Sequence, residues 1–73
     1  MKNSNNESHV LFGKKVREER LKRGLSQEQL GKLAKVHRTY VGMIERAEKN
    51  ITLSNIKKIA HALGVSVRDL IVF

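Results

Sequence analysis

Ser26-Gln-Glu-Gln-Leu-Gly-Lys-Leu-Ala-Lys-Val-His-Arg-Thr-Tyr-Val-Gly-Met-Ile-Glu-Arg46 reads as two short helices joined by a tight turn. Ser26 followed three residues later by Gln29 is a capping box, which fixes the start of the first of them by satisfying two orphan N–H groups reciprocally. That helix is expected to bury Leu30, Leu33 and Ala34, with Val36 closing the turn. On the second, Val41 and Ile44 are three apart and face the same core, while Arg38, Thr39, Gly42, Met43 and Arg46 share the opposite face. Packing makes no use of that polar face, so the pattern predicts a helix-turn-helix whose second helix is free to read bases.

The rest of the chain supplies the frame. Residues 1–8 read as a disordered tail and 9–73 as one domain that combines binding and dimerisation. Helix 1 is expected from about His9 to Lys22, with Leu11 or Phe12, Val16 and Leu21 inward and Gly24 as a left-handed C-cap. Helix 4 starts near Thr52, carries Leu53, Ile56, Ile59, Ala60 and Leu63 at helical spacing and ends at Gly64. Ser66 caps a last short helix with Asp69 at its third position, where a carboxylate suits the helix dipole. The fold class is all-α, a compact five-helix arrangement. Val67, Leu70, Ile71, Val72 and Phe73 are more apolar than one small core can use, so Leu70 to Phe73, together with Leu53, are expected at an interface with a second subunit.

Composition points the same way. The 73 residues allow one domain, and a chain of that size buries only about 60% of its unfolded surface, so a dimer interface would supplement its core. The 15 Lys plus Arg against 7 Asp plus Glu give a formal charge of +8, which favours a polyanion as partner. The chain has 0 cysteines, which excludes disulfides, thiolate metal sites and cysteine nucleophiles. Neither a signal-peptide core nor an apolar run long enough to span a bilayer is present, so the expected location is the cytoplasm and no membrane partner is expected. His9 and His61 have no ligand at metal-binding spacing, and the scattered carboxylates supply no catalytic set; the expectation is a binding module with no metal, no cofactor and no enzymatic activity.

The spacing over about residues 11 to 71 resembles the Cro and lambda-repressor-like helix-turn-helix family, often called the XRE family. Beyond the helix pair the resemblance includes Val16-Arg-Glu-Glu-Arg20, Arg23-Gly-Leu-Ser-Gln27 and Ala60-His-Ala-Leu-Gly-Val65. A narrower likeness, in His37-Arg-Thr-Tyr-Val-Gly-Met-Ile-Glu-Arg46 followed by Lys49-Asn-Ile-Thr52, is to the controller proteins of restriction-modification systems. The resemblance implies a lambda-repressor-like DNA-binding domain. It also implies a homodimer on a roughly palindromic operator in double-stranded DNA, with helix 3 of each subunit in successive major grooves about 34 to 36 Å apart. A controller would activate its own operon at low occupancy, with RNA polymerase as a partner, and repress it at high occupancy. The alternatives are a phage-type or mobile-element repressor, or an antitoxin that binds its toxin through an extra surface. An RNA-binding or membrane-surface module would need an aromatic platform or a basic amphipathic face with Trp or Phe, which the sequence lacks.

Each candidate residue follows from its chemistry. Gln27, in the first turn of helix 2, has an amide that can donate to a phosphate, and the resemblance implies that it clamps the DNA backbone. Arg38 carries the planar fork that binds guanine O6 and N7, a contact worth about 1 to 3 kcal/mol of discrimination. Thr39 offers a methyl and a hydroxyl, Met43 van der Waals contact with thymine methyls, and Tyr40 a hydroxyl for phosphate with its ring packed inside. Arg46, Lys49 and Asn50 are expected on the flanking backbone; Lys49 stands where controllers often have arginine, which removes bidentate geometry. The resemblance further implies a structural ion pair between Arg20 and Glu45. Three positions depart from the family. Lys35 replaces the turn glycine, which costs about 1 kcal/mol at positive φ unless the turn has another geometry. His37 replaces Asp or Ser as the N-cap of helix 3, where it joins the DNA-facing set as a weaker cap. Gly42 lies inside helix 3 at a cost of about 1 kcal/mol relative to alanine, and on the groove face it gives the backbone or Met43 room against the bases.

Overall fold

The computed structural model describes residues 4–48 and 51–71, which form α1 (Ser4–Lys22), α2 (Gln27–Ala34), α3 (Arg38–Glu45), α4 (Leu53–Leu63) and α5 (Val67–Leu70). The helix ends are set by short-range chemistry. Ser26 Oγ accepts the Gln29 N–H at 3.0 Å and Gln29 Oε1 accepts the Ser26 N–H at 2.7 Å, closing the capping box on α2. Ser66 and Asp69 make the same reciprocal pair on α5, and Thr52 Oγ1 accepts the Asn55 N–H at the start of α4. Gly24 and Gly64 stop α1 and α4 at φ of 67° and 73°, a left-handed conformation that costs glycine nothing.

Side chains from every helix meet in one core. Phe12 and Val16 of α1, Leu30 and Ala34 of α2, Val41 and Ile44 of α3, Ile59, Ala60 and Leu63 of α4, and Leu70 of α5 are buried together. α2 packs on α3 and α4, and α1 lies across α3, α4 and α5. Two glycines make this closeness possible. A Cβ on Gly13 would collide with the Ile44 carbonyl oxygen and stand 2.9 Å from that of Glu45, so α1 rests directly on the C-terminal backbone of α3. A Cβ on Gly31 would stand 2.7 Å from the Val36 carbonyl oxygen, so the turn after α2 folds back against its own helix. Lys35 closes that turn at φ 61° and ψ 41°, so of the two geometries left open the strained left-handed one is present.

Several expected placements are corrected. α1 begins at Ser4, not near His9, so it takes in residues 4–8 of the stretch expected as a tail; residues 1–3 lie outside the described residues. A helix already nucleated by packing extends through polar residues at a small cost per residue. Leu33 is 54% exposed rather than buried. At about 100° per residue, the buried arc of α2 runs from Leu30 through Ala34 to Gly31, and Leu33 falls roughly 110° from its centre. Leu21 is likewise 54% exposed, because Arg20 takes the inward place on α1 that its neighbour was expected to hold. Leu70, expected at a subunit interface, is fully buried in its own core, since the turn into α5 aims it back between α1 and α4. Leu53 and Ile71 are 61% and 46% exposed, while Val72 and Phe73 lie outside the described residues.

Candidate DNA interface

The outward surface of α3 is built from its N-terminus. His37 caps the helix with its ring, Nδ1 accepting the Thr39 N–H at 3.0 Å. An accepting Nδ1 carries no proton, so the ring proton sits on Nε2, which is left as a donor. Arg38, the next residue, has its Nη1 3.6 Å from Glu28 Oε1 on α2, with both side chains more than half exposed. An exposed pair of that length is weak and leaves the guanidinium free to exchange its carboxylate for a base or a phosphate. Thr39 is exposed and Met43 half-buried, both on the surface away from Val41 and Ile44.

Tyr40 packs its ring against the core, and its hydroxyl accepts the Asn55 Nδ2–H at 2.9 Å. The hydroxyl proton remains available, so α4 holds the phenol in place while leaving it a donor. Asn55 was not singled out in the sequence. The available signal was that a half-buried tyrosine hydroxyl needs a polar partner. Glu28 and Glu48 were missed likewise, because an exposed carboxylate two residues away, or on the neighbouring helix, has no distinctive pattern. Glu48 takes both edge donors of Arg46, Nε at 2.8 Å and Nη2 at 3.3 Å. That hydrogen bond holds the Arg46 guanidinium above its ordinary range and the Glu48 carboxyl below its own.

Behind this surface lies an ion pair. Arg20 Nε donates to Glu45 Oε2 at 2.6 Å, Nη2 to Oε1 at 3.1 Å and Nη1 to the Leu25 carbonyl at 2.8 Å, with the Arg20 and Glu45 side chains only 9% and 4% exposed. Gln27 joins the pair, its Nε2 donating to Glu45 Oε1 at 3.1 Å. The glutamine expected to meet the DNA backbone is thus held by the carboxylate that ties α1 to α3. Gly42, placed on the groove face by helical spacing, is buried instead. It is not in the core; the side chains of Gln27 and Arg46 close over it. Lys49 and Asn50 lie outside the described residues. Gln27, Arg38, Thr39, Met43 and Arg46 therefore fall on or beside the outward surface of α2 and α3, with His37 and Tyr40 at its borders.

Comparison with known proteins agrees with this geometry. A helix-turn-helix family model matches residues 16–70. The control protein C.BamHI of Bacillus amyloliquefaciens is 49% identical over 69 residues, 93% of this chain and 85% of that protein. The control protein C.SmaI of Serratia marcescens is 44% identical over 61 residues, 84% of this chain and 73% of that one. Among solved structures, the restriction-modification controller protein C.AhdI from Aeromonas hydrophila superposes with a TM-score of 0.84 at 47% identity, covering 85% of this chain and 94% of that one. With a match over most of its length, the five-helix arrangement, and an outward face of α3 that the core does not use, the chain belongs to the XRE-type helix-turn-helix family of DNA-binding transcriptional regulators, which are not enzymes.

Proposed function

We propose that the chain is a restriction-modification controller protein. It binds a roughly palindromic operator as a homodimer and sets the level of its own operon by occupancy, with RNA polymerase as the partner that reads the outcome. The observation that carries this is the similarity, at 47–49% identity and across most of each chain, to proteins named as controllers in two different bacteria. On this reading Arg38, Thr39 and Met43 face base edges, with Gln27, His37, Tyr40 and Arg46 on the flanking phosphates and Lys49 and Asn50 beyond them. Leu53 and Ile71, exposed on α4 and after α5, meet the second protomer.

Footprinting on the DNA upstream of the chain's own gene tests this. Two protected half-sites, centred about 34 to 36 Å apart or a multiple of it, are expected, with affinity falling steeply with salt as about 6 to 10 phosphates are neutralised. Absence of any protected duplex, or binding that ignores salt, would refute it.

A further inference from the structure

Gly42 stands in the middle of α3, where glycine is less favourable than alanine, and its backbone does not require it. The glycines at positive φ are Gly24 and Gly64. What distinguishes Gly42 is the space beside it. A Cβ built there would stand 2.9 Å from Arg46 Nη1 and 3.3 Å from Gln27 Oε1, so a side chain of α2 and one from the C-cap of α3 close on one point that a methyl would fill.

The two arms are held unequally: Gln27 is tied to an enclosed carboxylate, whereas Arg46 is oriented by an exposed pair with Glu48. The Gln27 amide faces Glu45, which can only accept, so its NH₂ must point at the carboxylate and its carbonyl outward over Gly42. The same carboxylate is anchored by Arg20 through two hydrogen bonds. Arg46 is held on its far edge by Glu48 through Nε and Nη2, which leaves Nη1 on the Gly42 side. The second Gln27 amide N–H and the Arg46 Nη1 hydrogens are the donors left over, one on α2 and the other after α3.

We propose that Gly42 is a positioning residue for the grip on DNA: its missing side chain lets the Arg46 guanidinium lie over α3 beside Gln27, so that Arg46 Nη1 and the second Gln27 amide N–H donate to one backbone phosphate, with Glu45 orienting Gln27 from behind. This rests on the reading of α3 as the groove helix. It adds a reason for a glycine that costs stability, and it makes two residues that look independent in the sequence act together.

The test is Gly42→Ala in the full chain, measured by thermal melting and by fluorescence anisotropy with a duplex of random sequence, since a phosphate clamp acts on every sequence alike. Stability and binding should move in opposite directions. The melting midpoint should rise by about 4 °C, from helix propensity. Affinity should fall about ten- to a hundredfold, the worth of one charge-assisted contact, with the salt dependence shallower by about one counterion per protomer. In an Arg46→Ala background the same change should cost less than about twofold, because the arm it displaces is gone. If Gly42→Ala instead lowers the midpoint, Arg46→Ala should relieve that loss; a loss that persists there overturns the proposal. Equal affinity for parent and variant, or an undiminished cost in the Arg46→Ala background, also overturns it while leaving the DNA-binding reading intact. Failure of the parent chain to bind any duplex refutes both.

Discussion

Replacing Arg20 by methionine removes a guanidinium that makes three hydrogen bonds and leaves the Glu45 carboxylate almost wholly enclosed. Stranding one member of a buried pair costs about 3 to 5 kcal/mol, and the lower end applies here because Glu45 keeps the Gln27 amide as a donor. In a domain of this size about 3 kcal/mol corresponds to a fall of roughly 12 to 24 °C in melting midpoint, a large share of a total stability of order 5 to 15 kcal/mol. Circular dichroism melts at one fixed protomer concentration measure it, since association shifts the midpoint by mass action. The double variant Arg20→Met, Glu45→Met should recover most of the loss, because an apolar pair strands no charge. Its DNA affinity should stay low, since Gln27 has lost the group that orients it. If the single variant melts within a few degrees of the parent, or the double variant is no more stable than the single, the pair does not carry the α1–α3 contact and the reasoning fails.

Four further outcomes are expected. Arg38→Ala should lower operator affinity by about 1 to 3 kcal/mol and relax preference at one base pair per half-site, whereas Gln27→Ala should weaken all sequences alike; equal losses on operator and random DNA would make Arg38 a phosphate ligand. Lys35→Gly should raise stability by about 0.5 to 1 kcal/mol by relieving the left-handed turn, read as a higher urea midpoint; a lower midpoint would contradict the strain assigned there. Glu19 lies among Arg23, Lys22 and Lys15, and chiefly the Arg23 hydrogen bond holds its carboxyl at about 2 instead of 4.5. A carboxyl lowered in the folded state contributes stability above its unfolded value, lost as pH falls from 4.5 towards 2, so Glu19→Gln should flatten the decline of urea midpoints across that window. Ile71→Glu with Leu53→Glu should shift sedimentation from dimer towards a folded monomer with far weaker DNA binding; unchanged sedimentation at equal concentration would place the interface elsewhere.

Capped helix ends were legible in the sequence because capping is local, whereas the start of α1 was not. Ser26 with Gln29, Ser66 with Asp69, Thr52, Gly24 and Gly64 each act within about four residues, so residue type and spacing alone specify the geometry. The helix pair, and the polar surface on the second of them, followed from periodicity for the same reason. Which leucine turns inward did not. Leu21 and Leu33 sit at the margin of an apolar stripe and Leu70 on a single helical turn, and the centre of a helix's buried arc is set by where the neighbouring helices lie, not by the helix's own sequence. Arg20 could displace Leu21 from the interior only because Glu45, 25 positions on, was there to receive it. The joining of Gln27 to Glu45 and of Tyr40 to Asn55 belongs to the tertiary structure alone. Each unites side chains on different elements through atoms a few ångströms apart, and no spacing along one chain encodes a distance across two helices.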